Sequence, residues 1–225
     1  VVICARGEEE LYKARDEIRA KGGICHAYTA DLTDLASCDE LIKTIQTEVG
    51  PVDILINNAG RSIRRSIELS FDRFHDFERT MQLNYFGSLR LIMGVLPAMI
   101  ERRGGHIINI SSIGVLANSP RFSAYVASKS ALDAFSRCAQ GELSSKNIYF
   151  TTINMPLVKT AMIAPTKMYE SVPTLSPEEA ADLIVQVVIE RSSRVATRLG
   201  IFAAVLNAVA PKAYEIVMNT AYELF

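Results

Sequence analysis

Short apolar runs alternate along the whole chain with longer stretches in which apolar positions recur every three or four residues. Apolar runs of about 4–8 residues read as strands, and the wider spacing reads as helices that bury one face. Val1–Ala5 is then a strand, and Glu8–Lys21 a helix rich in Glu, Lys, Arg and Ala, closed by Gly22-Gly23. Ile24–Ala30 reads as a second strand, Asp34–Glu48 as a helix stopped at Gly50-Pro51, and Asp53–Asn57 (DILIN) as a short strand of the fully buried kind. Ser70 to Arg102 is one long helical region ended by Gly104-Gly105; His106–Ser111 is a strand, Phe122–Ser144 a helix and Ile148–Asn154 a strand. Ser176-Pro177-Glu178-Glu179 has the form of an N-cap with proline at the first helical position and acids in the first turn, opening a helix to Arg191. Arg194–Arg198 is expected as a last short strand. This alternation predicts an α/β fold with a parallel sheet covered by helices on both faces.

The end of the chain has another texture. Residues 199–225 carry LGIFAAVLNAVAP, a continuous apolar run, and are expected as an extension of the domain formed by residues 1–198. The run reads as a helix buried on the sheet or on a second subunit; it would also serve as a wall for a long acyl chain or as a membrane-surface anchor. It lacks the Lys/Arg-rich polar face of an interfacial helix, which favours the acyl wall of the last two.

Composition narrows the function classes. The chain has 225 residues, 49% hydrophobic and 22% charged, enough for one large domain with a substantial core. Its net charge of −1 offers no electrostatic case for nucleic acid or an anionic surface. Cys4, Cys25, Cys38 and Cys138 form no CxxC pair, which favours free thiols in a reducing compartment. No metal site is expected: Cys25 and His26 adjoin, but nothing nearby completes a ligand set, and His26, His75 and His106 read as structural or surface residues. No uninterrupted apolar run of about 18 residues suggests a spanning helix. The opening Val-Val-Ile-Cys-Ala-Arg has neither an initiator Met nor a signal peptide and looks like the middle of a strand, so a fragment with its start upstream is expected.

The chemistry concentrates in NISSIGVLANSPRFSAYVASKSALDAF. Tyr125 lies four residues before Lys129, which puts both on one helical face, and Ser112 ends an apolar strand thirteen residues upstream of Tyr125. An ammonium beside a phenol draws its pKa down from about 10 toward working pH. A serine hydroxyl can hold a carbonyl oxygen while the tyrosine protonates it. What these side chains lack is a hydride, which a nicotinamide cofactor supplies. Asn57-Asn58-Ala59-Gly60 follows DILI at the carboxyl end of a strand, where open α/β sheets bind ligands; the small residues admit close approach and the asparagines can pin adjoining strands. Asn84 sits in the helix MQLNYFG, where a kink holding a water near Lys129 would justify it, against a tolerated surface asparagine. Asp31-Leu32 suits an adenine edge, with an N-cap role equally open to Asp31 or Thr33. Arg6, just past the first strand, suits a ribose 2′-phosphate and so NADPH over NADH.

Taken in order, these residues resemble the short-chain dehydrogenase/reductase family, over essentially the whole chain. The resemblance implies a Rossmann-type doubly wound parallel sheet and a catalytic tetrad of Asn84, Ser112, Tyr125 and Lys129. It implies cofactor contacts from Arg6, Asp31, Leu32, Asn57, Asn58, Ala59, Gly60, Tyr125, Lys129, Val158 and Thr160, with Lys129 on the nicotinamide ribose. Two departures stand out. Met155-Pro156 replaces the usual Pro-Gly, and the family's first strand and Gly-rich phosphate loop are absent, so some tens of residues are expected before Val1.

A narrower resemblance is carried by NNAGRSIRRSI, FDRFHDFERTMQLNYFG, PRFSAYVASKSALDAFSRC, MPLVKTAMIAPTK and VATRLGIFAAVLNAVAPKAYEIVMNTAY, which look like bacterial fatty acyl-CoA reductases of the short-chain type. It implies NADPH-dependent reduction of a long-chain acyl-CoA to a fatty aldehyde. It also implies a homo-oligomer, dimer or tetramer, in the cytoplasm, with peripheral membrane contact open through the apolar tail. Arg61, Arg64 and Arg65 could hold the CoA phosphates, or form a solvated basic loop paired with acids such as Glu68 and Asp72. Met155, Met162 and Met168 suit an adaptable apolar pocket, core filling being the alternative. Two other functions fit the same motifs: a general carbonyl reductase or alcohol dehydrogenase acting on a ketone, steroid or 3-oxoacyl group, and a noncatalytic binding protein that keeps the fold.

Overall fold

Among the described residues six strands, all pairing in parallel, form the frame: β1 (Val2–Ala5), β2 (His26–Thr29), β3 (Ile54–Asn57), β4 (Gly105–Ser112), β5 (Ile148–Met155) and β6 (Arg194–Ala196). The computed structural model describes residues 1–160, 163 and 172–224. Between the strands run α1 (Glu8–Ala20), α2 (Leu35–Glu48), α3 (Phe74–Met81), α4 (Ser88–Arg102), α5 (Ile113–Ala117), α6 (Ser123–Leu143) and α7 (Pro177–Glu190); α8 (Arg198–Val209) and α9 (Pro211–Leu224) follow β6.

The sheet is interrupted. β1 pairs with β2, and β3-β4-β5-β6 form a second sheet; among the described residues no ladder joins β1 to β3. The break leaves β3 without a partner on its outer side among the described residues. It also corrects the expectation that Asp53–Asn57 is fully buried: Ile54 and Ile56 are each 41% exposed, because β3 has a partner on one side only.

The central strand β4 explains why its sequence is a continuous apolar run. Successive side chains point to opposite faces, and both faces are covered. Ile107 enters a core with Leu41, Ile42, Ile92, Met99 and Leu132. Its neighbour Ile108 enters another with Ile153, Met155, Ala180 and Val187 beneath α7.

The region expected as one helix from Ser70 to Arg102 is broken. A 3-10 turn covers Glu68–Ser70, and the continuous helix begins at Phe74. It widens into π-helical turns over Gln82–Gly87 before α4. By length and composition the 29-residue helix Phe74–Arg102 could cross a bilayer. Its apolar face is spent instead in the first core, through Leu91, Ile92, Val95 and Met99.

The cap of α7 falls as read. Ser176 and Glu179 close a capping box at the start of α7, with bonds of 3.1 and 2.7 Å. The cap of α2 is Asp34, which accepts from Ala36 N–H, rather than Asp31 or Thr33. The last strand stops at Ala196 because Thr197 turns its hydroxyl to Gly200 N–H and starts α8. α8 is apolar on every side, yet only Gly200 is buried, pressed against Leu116 and Ile113 of α5. α9 is tied to α5 by buried Tyr214, whose hydroxyl donates to Ala117 O at 2.5 Å.

Candidate active site

The site lies where β4 and β5 end against α6. Ser112 is the last residue of β4, and its place is over-determined. Asn154 of β5 donates to Ser112 O at 3.1 Å. Arg194 of β6 donates to Asn154 Oδ1 at 2.8 Å and to the Asp133 carboxylate of α6 at 2.7 Å. Three strands and a helix are therefore fastened beside one serine. Ser112 Oγ accepts from Gly114 N–H at 3.1 Å, capping α5, a helix the apolar pattern did not separate. Among the described residues its own proton enters no hydrogen bond, so it is available to a ligand.

Tyr125 and Lys129 sit one turn apart on α6. Lys129 is 4% exposed and donates Nζ to Ile110 O at 2.8 Å. Desolvation pulls its pKa down to about 8. A cavity of about 610 Å³ opens beside these elements, with Ser112, Tyr125, Met155, Val158, Thr160 and Arg64 in its wall. Met162 lies outside the described residues.

Asn84 is no surface asparagine. It is fully buried in the π-helical turns, and its amide is committed to the backbone that follows NNAG. Oδ1 accepts from Arg61 N–H at 2.8 Å, while Nδ2 donates to Arg61 O and to Ser128 Oγ, each at 2.9 Å. Ser128 Oγ in turn donates to Tyr125 O at 2.7 Å. The wide turn is held close by Gly87, where a β-carbon would lie 2.2 Å from Leu32 O. These contacts link Leu32, Asn84, Gly60-Arg61 and α6 into one unit.

On the other side of the strand ends, Asn57 is buried and donates to Asn109 Oδ1 at 2.8 Å, pinning β3 to β4. Asn58 and Ala59 are exposed and Gly60 half-buried. Asp31 folds back to accept from Thr33 N–H and Oγ1 at 2.9 and 2.8 Å. Those two bonds, with the nearby Arg6 and Arg61 charges, hold its carboxyl below the usual carboxylate range. The three arginines after NNAG separate. Arg61 is fixed through its backbone, Arg64 is exposed on the cavity wall, and Arg65 reaches Asp76 at 3.4 Å. The acid that meets this loop is thus Asp76 rather than Glu68 or Asp72. Sequence reasoning missed Asp76, a 3% exposed carboxylate also contacted by Arg73 and Arg79; its signal was three arginines within reach of one acid on a helix face.

The model of the short chain dehydrogenase family matches residues 1–170. The chain belongs to the short-chain dehydrogenase family. Over 225 residues it is 57% identical to a fatty acyl-CoA reductase of Acinetobacter baylyi, covering all of this chain and 76% of that protein. A fatty acyl-CoA reductase of Mycobacterium tuberculosis is 44% identical over 224 residues, covering 99% and 76%. A solved short-chain dehydrogenase from Streptomyces avermitilis superposes with a TM-score of 0.80 at 25% identity, covering 99% of this chain and 88% of that one.

Membership makes this short-chain dehydrogenase an oxidoreductase of a family that binds nicotinamide cofactors. The residues present fit the nicotinamide end of such a group. At Gly60 a β-carbon would stand 3.3 Å from Lys129 Nζ and 3.4 Å from Asn84 Oδ1, so glycine lets this loop lie close against both side chains. On the cavity wall, buried Ser111 Oγ has no hydrogen-bond partner among the described residues, the condition of a polar atom waiting for a ligand.

Proposed function

We propose that this protein reduces long-chain fatty acyl-CoA to fatty aldehyde with NADPH. The observation that carries the reading is the 57% identity, across the entire chain, with a protein named fatty acyl-CoA reductase. The site supports it by bringing Ser112 and Tyr125 to one cavity, with no cysteine among the described residues of its wall to form a covalent thioester.

The bound nicotinamide cofactor supplies the hydride. Gly60, Lys129, Val158 and Thr160 would hold its nicotinamide end, and Arg6, Asp31, Leu32, Asn58 and Ala59 would hold its adenosine end. The Arg6 guanidinium suits a 2′-phosphate. Ser112 Oγ–H and the Tyr125 hydroxyl donate to the thioester oxygen. They strengthen as negative charge builds there, a role worth about 3–4 kcal/mol per well-placed donor. When the tetrahedral carbon re-forms its C=O bond, the C–S bond breaks and CoA leaves as thiolate. Lys129, buried and held on Ile110 O, places a positive charge behind Tyr125 and favours its phenolate after the proton has left. Asn84 fixes the Gly60-Arg61 backbone against Lys129, and a water beside it would return the proton.

The remaining assignments belong to the same reading. Four free cysteines suit a cytoplasmic setting. The exposed apolar side chains of α8 and α9 suit either a subunit contact or peripheral membrane contact.

The test is NADPH consumption by the purified protein with palmitoyl-CoA, with products identified by mass spectrometry. Fatty aldehyde and free CoA are expected, both lost in Tyr125→Phe at unchanged thermal stability. Reduction of ketones or aldehydes without any turnover of thioesters would overturn the assignment.

A further inference from the structure

The catalytic cavity is not a closed chamber on its C-terminal side. A second depression of about 450 Å³ adjoins it, and the two share Ser119, Pro120, Arg121 and Tyr222 in their walls. The partition is a built contact. The Arg121 guanidinium lies 4.5 Å over the Tyr222 ring and donates to Tyr222 O at 3.3 Å. Arg121 is held there with a left-handed backbone, φ 67°, uncommon for a residue that is neither glycine nor asparagine. Its carbonyl accepts from Arg65 N–H at 2.6 Å, and Arg65 reaches Asp76. The loop after NNAG, the entry to α6 and the end of α9 thus converge on one arginine–tyrosine pair between two hollows.

The outer hollow has an apolar approach. Ile67 lines it, and the segment beyond it exposes Leu69, Phe71 and Phe74, at 64%, 82% and 70%. Its charged wall residues are Arg121, already engaged by Tyr222, and Glu68. The Glu68 carboxylate would disfavour a polyphosphate on this side, whereas the Arg64 guanidinium on the catalytic cavity would favour one.

We propose that the outer groove is a subsite for the distal methylenes of a long acyl chain, with Arg121 and Tyr222 as the divider that the chain passes. The inference rests on the acyl-CoA reading above and goes beyond it by assigning where the tail lies and what discriminates chain length. Chains short enough to end inside the catalytic cavity gain nothing from the groove. Longer ones gain about three- to fourfold in affinity per buried methylene. Tyr222, at the end of α9, makes the apolar C-terminal segment a determinant of chain-length specificity.

The chain contains no tryptophan, so one introduced on the groove wall reports on that wall alone. Ile67→Trp replaces one exposed apolar side chain by another and disturbs no core packing. Its emission should shift to the blue with palmitoyl-CoA, added below its micelle concentration, and stay unchanged with hexanoyl-CoA. In parallel, Tyr222→Ala should lower the palmitoyl-over-hexanoyl ratio of kcat/KM by at least tenfold. An emission that ignores palmitoyl-CoA while the parent protein reduces it overturns the subsite and leaves the acyl-CoA reading standing. A palmitoyl-specific shift in a protein that forms no aldehyde from any thioester supports the subsite and overturns that reading.

Discussion

Gly87→Ala should unfold the protein at markedly lower denaturant, whereas Gly141→Ala, the same change in another helix, should stabilise it. At Gly87 the added β-carbon meets Leu32 O at 2.2 Å and the carbonyl carbon behind it at 3.2 Å, so backbone must move by about an ångström on one side. Overpacking commonly costs about 1–3 kcal/mol, and a backbone obstacle belongs at the upper end. The strain also spreads to function. If the π-helical turns retreat, the Gly60-Arg61 backbone loses its two bonds to Asn84, and Asn84 loses its bond to Ser128. Gly141 lies in α6 with nothing within 4 Å of its built β-carbon, so alanine there gains only helix propensity, about 1 kcal/mol. For a chain of this size a kcal/mol moves the melting temperature by about 2–4 °C. Urea and thermal melts followed by far-UV circular dichroism measure both variants. Gly87→Ala within about 0.5 kcal/mol of the parent, at full activity, would falsify the close approach of Leu32 and the role given to the wide turn.

Three further outcomes are expected. Lys129→Met should abolish turnover yet stabilise the fold at pH 7: a lysine pKa lowered from 10.5 to about 8 costs about 3 kcal/mol of folding energy below pH 8, offset by about 1 kcal/mol for the bond lost by Ile110 O. Because the unfolded chain holds the extra proton between those values, that gain should fade from pH 8 to 10.5; a gain independent of pH would refute it. His106 is buried against Thr151, and desolvation lowers its pKa from 6.5 to about 4. The unfolded state therefore takes up a proton first as pH falls, and about 3 kcal/mol of stability should be lost between pH 6.5 and 4, a loss that acid titration of urea midpoints should find missing in His106→Gln. Finally, Arg64→Ala should raise KM for acyl-CoA several-fold and spare that for a free aldehyde. Arg65→Ala should instead lower the melting temperature, because it removes a partner of buried Asp76; equal kinetic effects from the two would sink the distinction.

Much of the site was legible in the chain because its logic is local. Tyr125 and Lys129 share a helix face by their spacing alone, and Asn57 follows a strand by position. The serine cap of α7 and the glycine stops of α1 and α2 are likewise written in neighbouring residues. The apolar run of β4 announces a strand covered on both faces, since each face of a parallel strand must be buried.

Other features depend on partners far along the chain. Asp31 reads as an adenine contact or, equally with Thr33, as a helix cap; in the structure its carboxylate is taken by Thr33, and Asp34 caps α2. The three arginines after NNAG are equivalent in sequence; Asp76 separates them by coming to Arg65 and leaving Arg64 on the cavity wall. Asn84 reads as a tolerated surface residue or a kink; only the structure shows it buried in the wide turns with its amide spent on Arg61 and Ser128. The exposure of Ile54 and Ile56 follows from β3 having one neighbour, which no window of residues reveals. The sequence by itself determined the alternation of strands and most helices and the residues that are candidates for the site, because backbone period and capping act over a few residues. The tertiary structure decided which polar groups are spent on one another and which face the cavity. Desolvation and hydrogen-bond competition are settled between segments as distant as Asp133 and Arg194, or Arg121 and Tyr222.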